Sequence, residues 1–261
     1  MIKEFLRLKL FLTQRSQLKA LVIKSFRMRY SNTVLGFLWT VLTPLLISLV
    51  ISFVFTYVAQ IRIDNFAIYV ISGMLPWICF SSSLQESVAS FVDNSGLYKQ
   101  FMIPLEFIPT SCVIINFINL IIGLGVAAVF FAHMQLKEAF LVFLLPIPVI
   151  LHLLFTLGIS FFLSSLYVRR RDVAHILNII LLFWLWSSPV FYSLESFPLY
   201  VRKIANFNIM IPFLNLYRSI FFKHAPFYLN DLLLAIFFAL VSFILGFGFF
   251  IRQEKSIKKT I

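Results

Sequence analysis

Charge is what this chain has least of. Asp, Glu, Lys and Arg make up 12% of its 261 residues, and only ten of those residues are acids. A soluble domain carries about 25%. So little polar side chain cannot cover a folded body in water, which excludes an ordinary soluble enzyme or binding module and points to an integral membrane protein. Cysteine is nearly absent: Cys79 and Cys112 both lie in apolar stretches. That excludes a disulfide framework and a cysteine zinc site, and leaves two small buried side chains. No A-x-A-like cleavage site follows a short apolar run at the start, so no removable signal is expected. The alternating pattern of a membrane barrel is missing, and no internal repeat marks an inverted-repeat carrier.

Reaction chemistry is missing too. There is no G-x-x-x-x-G-K-[ST], no H-E-x-x-H and no G-x-S-x-G, so no P-loop, zinc protease or serine-elbow reading applies. His133, His152, His175 and His224 are scattered; His152 reads as a hydrogen-bonded side chain of the bundle. A membrane-embedded enzyme needs acids, histidines or metal ligands clustered at one depth, and none are. No catalytic residue, metal or cofactor is expected in this chain. Glu86 is the one notable acid, toward the end of the second apolar window. With no second acid to form a relay, it reads as solvated near the interface.

What the chain does have is long apolar windows. They fall at 34–58, 66–92, 107–132, 139–168, 173–194 and 232–251. At 1.5 Å per residue, 20 residues cross a core of about 30 Å, and backbone groups in lipid must be satisfied within helices. The expectation is an all-α membrane protein of six transmembrane helices in one domain, 1–261. Sixteen of the 22 Lys and Arg fall in 1–33, in the loops after the second and fourth windows, and in the tail. That bias puts both termini in the cytoplasm. The basic run is read as an anchor on anionic lipid, not as a nucleic-acid signal.

Three parts exceed a plain six-helix picture. Within 1–33, Leu18, Leu21, Val22 and Phe26 share one side of a helix and Gln17, Lys24 and Arg27 the other, which reads as an amphipathic interface helix. The cytoplasmic loop 93–106 begins with Asp93 or Asn94 as a cap and meets Pro104. Between them, Leu97, Tyr98, Phe101 and Met102 mix with Lys99 and Gln100. This pattern suits a short helix docking in a partner's groove, or side chains dipping into the membrane interface. The outer segment 195–231 holds FNIMIPFLNLYRSIFF, too apolar for an exposed loop and interrupted by Pro212, which suggests re-entrant or interfacial helices. Among the aromatics, Trp39, Trp77, Trp184, Trp186, Tyr57, Tyr69 and Tyr192 fit either an interfacial belt or the lining of a path for sugar rings.

RYSNTVLGFLWTVLTPLL from Arg29 resembles the R-Y-x-x-[ST]-x-L-G-x-L-W-x-x-x-x-P-L of ABC transporter membrane subunits that export polysaccharides. YVISGMLPWICFSSSL from Tyr69, GLYKQFMIPLEFIP from Gly96, LYVRRRDV from Leu166, SPVFY from Ser188 and LYRSIFF from Leu216 follow in that family's order. Lys99-Gln100 stands where the family tends to carry two basic residues, and its N-P element is NIMIP here. Within the family the likeness leans to the O-antigen (lipopolysaccharide) exporter permeases, with teichoic-acid and capsule permeases as neighbours.

The resemblance implies a homodimer in the bacterial cytoplasmic membrane, served by two separate P-loop subunits that carry ATP and Mg. The cargo it implies is an undecaprenyl-diphosphate-linked polysaccharide. Ser95, Gly96, Leu97, Tyr98, Lys99, Gln100, Phe101 and Met102 would couple to the ATPase. Pro212, Tyr217 and Arg218 would lie in a periplasmic gate. Arg27, Arg29, Tyr30, Arg169, Arg170 and Arg171 stand where a diphosphate head group would arrive, since arginine suits bidentate phosphate contact. Trp39, Trp77, Trp184, Trp186, Tyr57 and Tyr192 are the candidate channel aromatics. The competing readings are a drug or lipid exporter of the same build, a polyprenyl-sugar membrane enzyme, and a channel or scaffold.

Overall fold

A computed structural model describes residues 14–31, 35–58, 60, 65–101, 103–131, 143–194, 198–205, 207–222 and 225–260. The start of the expected interface segment, the start of the first window, Met102, His133, residues 139–142 and 195–197, and His224 lie outside the described residues. Among the described residues the chain is helical. In order it forms α1 Arg15–Tyr30, a tight turn Gly36–Leu38, α2 Trp39–Phe53 opening into a wide turn Val54–Val58, α3 Phe66–Asp93, α4 Ser95–Phe101, α5 Phe107–Phe131, α6 Pro146–Tyr167, α7 Val173–Ser187, α8 Leu199–Ala205, α9 Met210–Phe221 and α10 Leu229–Thr260.

Among the described residues, five helices are long and apolar enough to cross a membrane: Trp39–Val58, α3, the Phe107–Val129 part of α5, α6 and α10. The remaining window, the fifth in order, 173–194, is helical only to Ser187. Its 15 residues reach about 22 Å, after which Ser188 turns extended. The stop is encoded at Pro189, which lacks a backbone N–H and disfavours helix in the residue before it.

α3 is the central post. Its apolar window is 78% buried, against 17% for α2 and for α10. One continuous core joins α3, α5, α6, α7, α9 and α10, with Phe80, Phe213 and Tyr217 fully enclosed. α2, α7 and α10 instead turn broad apolar faces outward, among them Phe53 and Tyr57, Phe183 and Trp186, and Phe237 and Ile244. For a membrane chain such faces meet lipid or another subunit, where a soluble protein would bury them.

α6 and α10 pack backbone to backbone. Gly158 faces Ser242 and Gly246 so closely that an added Cβ on either glycine would overlap main-chain atoms of the other helix. The Ser242 hydroxyl donates across the seam to the Phe155 carbonyl at 2.8 Å. Small residues permit this approach, and without a hydrophobic drive between helices in lipid, close packing and such bonds carry the association.

Gly158→Val therefore destabilises the bundle by about 3 kcal/mol or more, seen as loss of a monodisperse species in detergent. Gly248→Ala, where an added Cβ meets nothing within 4 Å, leaves the melting temperature unchanged.

Candidate functional site

The N-terminal end of the bundle is organised around α1. Leu21 is its one buried residue. With Leu18 beside it, Leu21 packs on Ile103 and Phe107 and on Leu97 of α4. The expected apolar face thus rests on protein at Leu18 and Leu21, while Val22 and Phe26 are half-buried and Phe26 stacks edge-on against Tyr30 at 4.8 Å. α4 begins where the Asn94 side chain bonds back to the Ser90 carbonyl at 2.9 Å and the Asn94 carbonyl takes the Tyr98 amide at 3.1 Å. It ends before Pro104, whose carbonyl opens α5 by accepting from the Phe107 amide at 3.0 Å. Tyr98 is turned inward against the Phe91, Leu105, Phe161 and Phe250 cluster. Lys99, Gln100 and Phe101 are exposed. This short helix therefore has one face anchored and one face free.

Behind α1 lies a cavity of about 450 Å³ bounded by α1, α2, α3 and α5. Its polar wall is a three-residue network. Arg29 forms an ion pair with Glu86 Oε2 and donates to Asn116 Oδ1 at 3.1 Å. Asn116 Nδ2 donates to the same Glu86 oxygen at 2.9 Å. Thr40 donates to the Tyr30 hydroxyl at 2.6 Å, tying the start of α2 to α1. Glu86, read from sequence as a solvated acid, is here the counter-ion of Arg29.

Of the expected head-group residues, the structure brings Arg29 and Tyr30 into this cavity wall. Arg27, Arg169, Arg170 and Arg171 are exposed. Arg169 reaches the Ser256 hydroxyl at 3.3 Å, and Arg171 lies 5.0 Å over the Tyr167 ring. Sequence reasoning missed Asn116 and Asn119. The available signal was their i,i+3 spacing on one face of an otherwise apolar helix.

The opposite end is held by Arg218, 4% exposed on α9. Its guanidinium donates to the Pro189 carbonyl and to the Val190 carbonyl at 3.1 Å, and lies 3.8 Å over the Tyr69 ring. Burial lowers its pKa from the usual arginine value, yet a guanidinium keeps its proton in a protein. Gly73 makes the room, because a Cβ there would stand 2.9 Å from Arg218 Nη2. Asn208 adds a second staple: it accepts from Trp184 Nε1 at 2.8 Å and donates to Ser188 Oγ at 2.9 Å. Pro212 sits in the first turn of α9, where a missing N–H costs nothing. Eleven of the twelve α9 residues are buried. Tyr217 is enclosed and contacts His152 Nδ1 at 3.4 Å.

The aromatics separate by environment. Trp77 is 3% exposed and packs edge-on with Trp184, so it belongs to the core of the bundle. Trp39, Trp186 and Tyr57 are exposed. Tyr192 is half-buried and donates to the Trp186 carbonyl at 2.9 Å, while its own carbonyl takes the Tyr69 hydroxyl at 2.8 Å. Among the described residues no group of His, Cys, Asp and Glu could hold a metal ion.

The model of the ABC-2 type transporter membrane family matches residues 16–222. This chain belongs to that family. It is 32% identical over 212 residues to the O-antigen export system permease protein RfbA of Myxococcus xanthus, covering 80% of this chain and 82% of that one. It is 28% identical over 199 residues to the protein of the same name from Klebsiella pneumoniae, covering 76% and 77%. A shorter match, 29% over 91 residues and about a third of each chain, is to the polysialic acid transport protein KpsM of Escherichia coli. The matched region reaches from α1 to Phe222, just past α9, so it takes in both ends described above.

Two outcomes check the geometry. Arg218→Lys keeps the charge but cannot serve both carbonyls and lie flat on Tyr69. It costs about 1–3 kcal/mol of stability, read as a lower melting temperature in detergent, and Lys203→Arg on exposed α8 does not. For the half-exposed Arg29–Glu86 pair, a cycle of Arg29→Gln, Glu86→Gln and the double variant gives a coupling of about 1 kcal/mol, the upper end for such pairs because Asn116 grips both partners.

Proposed function

We propose that this chain is the permease subunit of an ATP-driven exporter that carries a lipid-linked polysaccharide of O-antigen type from the cytoplasm to the periplasm. Two copies form a path at their shared axis in the bacterial inner membrane. ATP and Mg are handled by two P-loop subunits that are separate chains. The names of the relatives support the class of cargo. The observation that carries the mechanism is α4: Leu97 and Tyr98 fasten it to the bundle, and Lys99, Gln100 and Phe101 stand free to enter a partner's groove.

In this reading α7 and the turn after it make the fifth of six crossings, and both termini are cytoplasmic, in line with the lysine and arginine bias. ATP-driven closure of the partner subunits pushes α4. The push reaches α3 directly, because Asp93 and Asn94 join the two helices, and passes on to α2 and α7. Arg27 and Arg169–Arg171 meet the diphosphate. Tyr57 and Trp186 give sugar rings apolar faces along the path, with α9 and its Pro212, Tyr217 and Arg218 at the outer gate. The match to KpsM favours a second reading of the same machine, with a capsule polymer as cargo.

A tagged pull-down from mild detergent tests this, with the bound chains counted by mass spectrometry. The expected result is one P-loop ATPase per permease, lost on Gln100→Ala plus Phe101→Ala while the permease stays monodisperse. Recovery of the chain alone, or only with glycan-synthesis enzymes, overturns the exporter reading.

A further inference from the structure

The cavity behind α1 has a polarity that a diphosphate site would not have. Its one arginine is already neutralised by the Glu86 carboxylate. Among the described residues, both bonds to that carboxylate use Oε2, which leaves Oε1 an open acceptor. Asn119, on the same wall, holds its Oδ1 buried and without a hydrogen-bond partner among the described residues. Thr43 and Ser82 add two hydroxyls. Trp39, 47% exposed, supplies an aromatic surface, and Leu75, Ile78 and Leu120 close the apolar side. Open acceptors, neutral overall charge and one indole face suit a molecule that offers several hydroxyl donors on one side and C–H groups on the other. A volume of about 450 Å³ lies within the range of small-molecule pockets and is too small for a chain of sugars. A buried acceptor left unpaired costs free energy, which a donor from a ligand recovers.

We propose that this cavity is a binding site for a single neutral pyranose ring. Glu86 and Asn119 accept from its hydroxyls, Trp39 stacks on its C–H face, and Arg29 holds the carboxylate in place. That the ring belongs to the exported glycan rests on the proposed function. The site's chemistry does not.

The test uses the full chain in detergent micelles, titrated with methyl α-D-glucopyranoside, methyl α-D-mannopyranoside, N-acetylglucosamine and inorganic diphosphate, and followed by quenching of tryptophan fluorescence. At least one neutral pyranose quenches saturably and diphosphate does not. Trp39→Phe removes the quenching. Asn119→Leu and Thr43→Val, both monodisperse, weaken binding at least tenfold and threefold respectively. Glu86→Gln releases the arginine charge and reverses the preference, so that diphosphate binds and the sugar weakens. Diphosphate that quenches the unaltered chain and competes with the sugar, or no saturable sugar binding, overturns the site. If the chain recovers its ATPase but binds no pyranose, the export reading stands and this inference falls. If it binds the pyranose but recovers no ATPase, the cavity stands and the export reading falls.

Discussion

Arg218 holds open the break that Pro189 makes at the end of α7, because its guanidinium takes the carbonyls of Pro189 and Val190 that no helical turn can satisfy. In lipid an unpaired carbonyl costs several kcal/mol, so a helix can break at that depth only where protein supplies a donor. The donor comes from α9, and α9 is present at that depth because Tyr217, Phe213 and Leu214 are enclosed in the core around α3. The Tyr69 ring offsets part of the cost of burying the charge, as a desolvated cation over an aromatic face does. Gly73 leaves the space. The turn after α7, the short α7 and the buried α9 all meet at this one placed cation.

The other end of α3 is held by the reverse arrangement. There an acid on the post, Glu86, receives a cation from the peripheral helix α1, and Asn116 of α5 bonds both. The two ends differ in permanence. Arg218 is enclosed and satisfied by main chain. Arg29 and Glu86 are about a third exposed at their side chains and border an open cavity, so water or a ligand can replace either partner at modest cost. Rigidity therefore sits at the Arg218 end and adaptability at the end where α1 and α4 meet.

The spans were legible in the sequence because a lipid-facing helix needs only length and apolarity, and both are local. The α3 limits, the short α4 between Asn94 and Pro104, and the family likeness were all readable from contiguous residues. What was not readable depends on pairs far apart in the chain. Arg29 and Glu86 are 57 positions apart, and Arg218 is 29 from Pro189. In a composition count Arg218 is one more outer cation, and Glu86 one more interfacial acid. Trp77 was indistinguishable from Trp39 for the same reason: each is an indole in an apolar window, and only packing separates a core ring from an exposed one. Pro189 was the overlooked local sign, since it breaks the 173–194 window whatever holds the break.

A buried post fixed at both ends carries force better than the helices around it. α3 is continuous from Phe66 to Asp93 and passes directly through Asn94 into α4, with Tyr98 of α4 seated on the cluster that also contains Phe91 of α3. A displacement of α4 cannot be absorbed locally without opening that cluster. Nor can it slide α3 past α9, where the Tyr69–Arg218 contact and the Gly73 fit are matched in register. The α6–α10 seam is equally unyielding, because its glycines leave no side chain to deform. The movable parts are then the helices that the bundle leaves mostly uncovered, α2 and α7, whose broad apolar faces have no partner among the described residues. α2 is tied to the cavity end by the Thr40–Tyr30 bond, and α7 meets the post through Gln85–Asn178 and the Trp77–Trp184 contact. Under the proposed function these two helices are where a push on α4 emerges as separation between subunits, and the cavity between α1 and α2 is the part of the protomer whose shape that separation changes first.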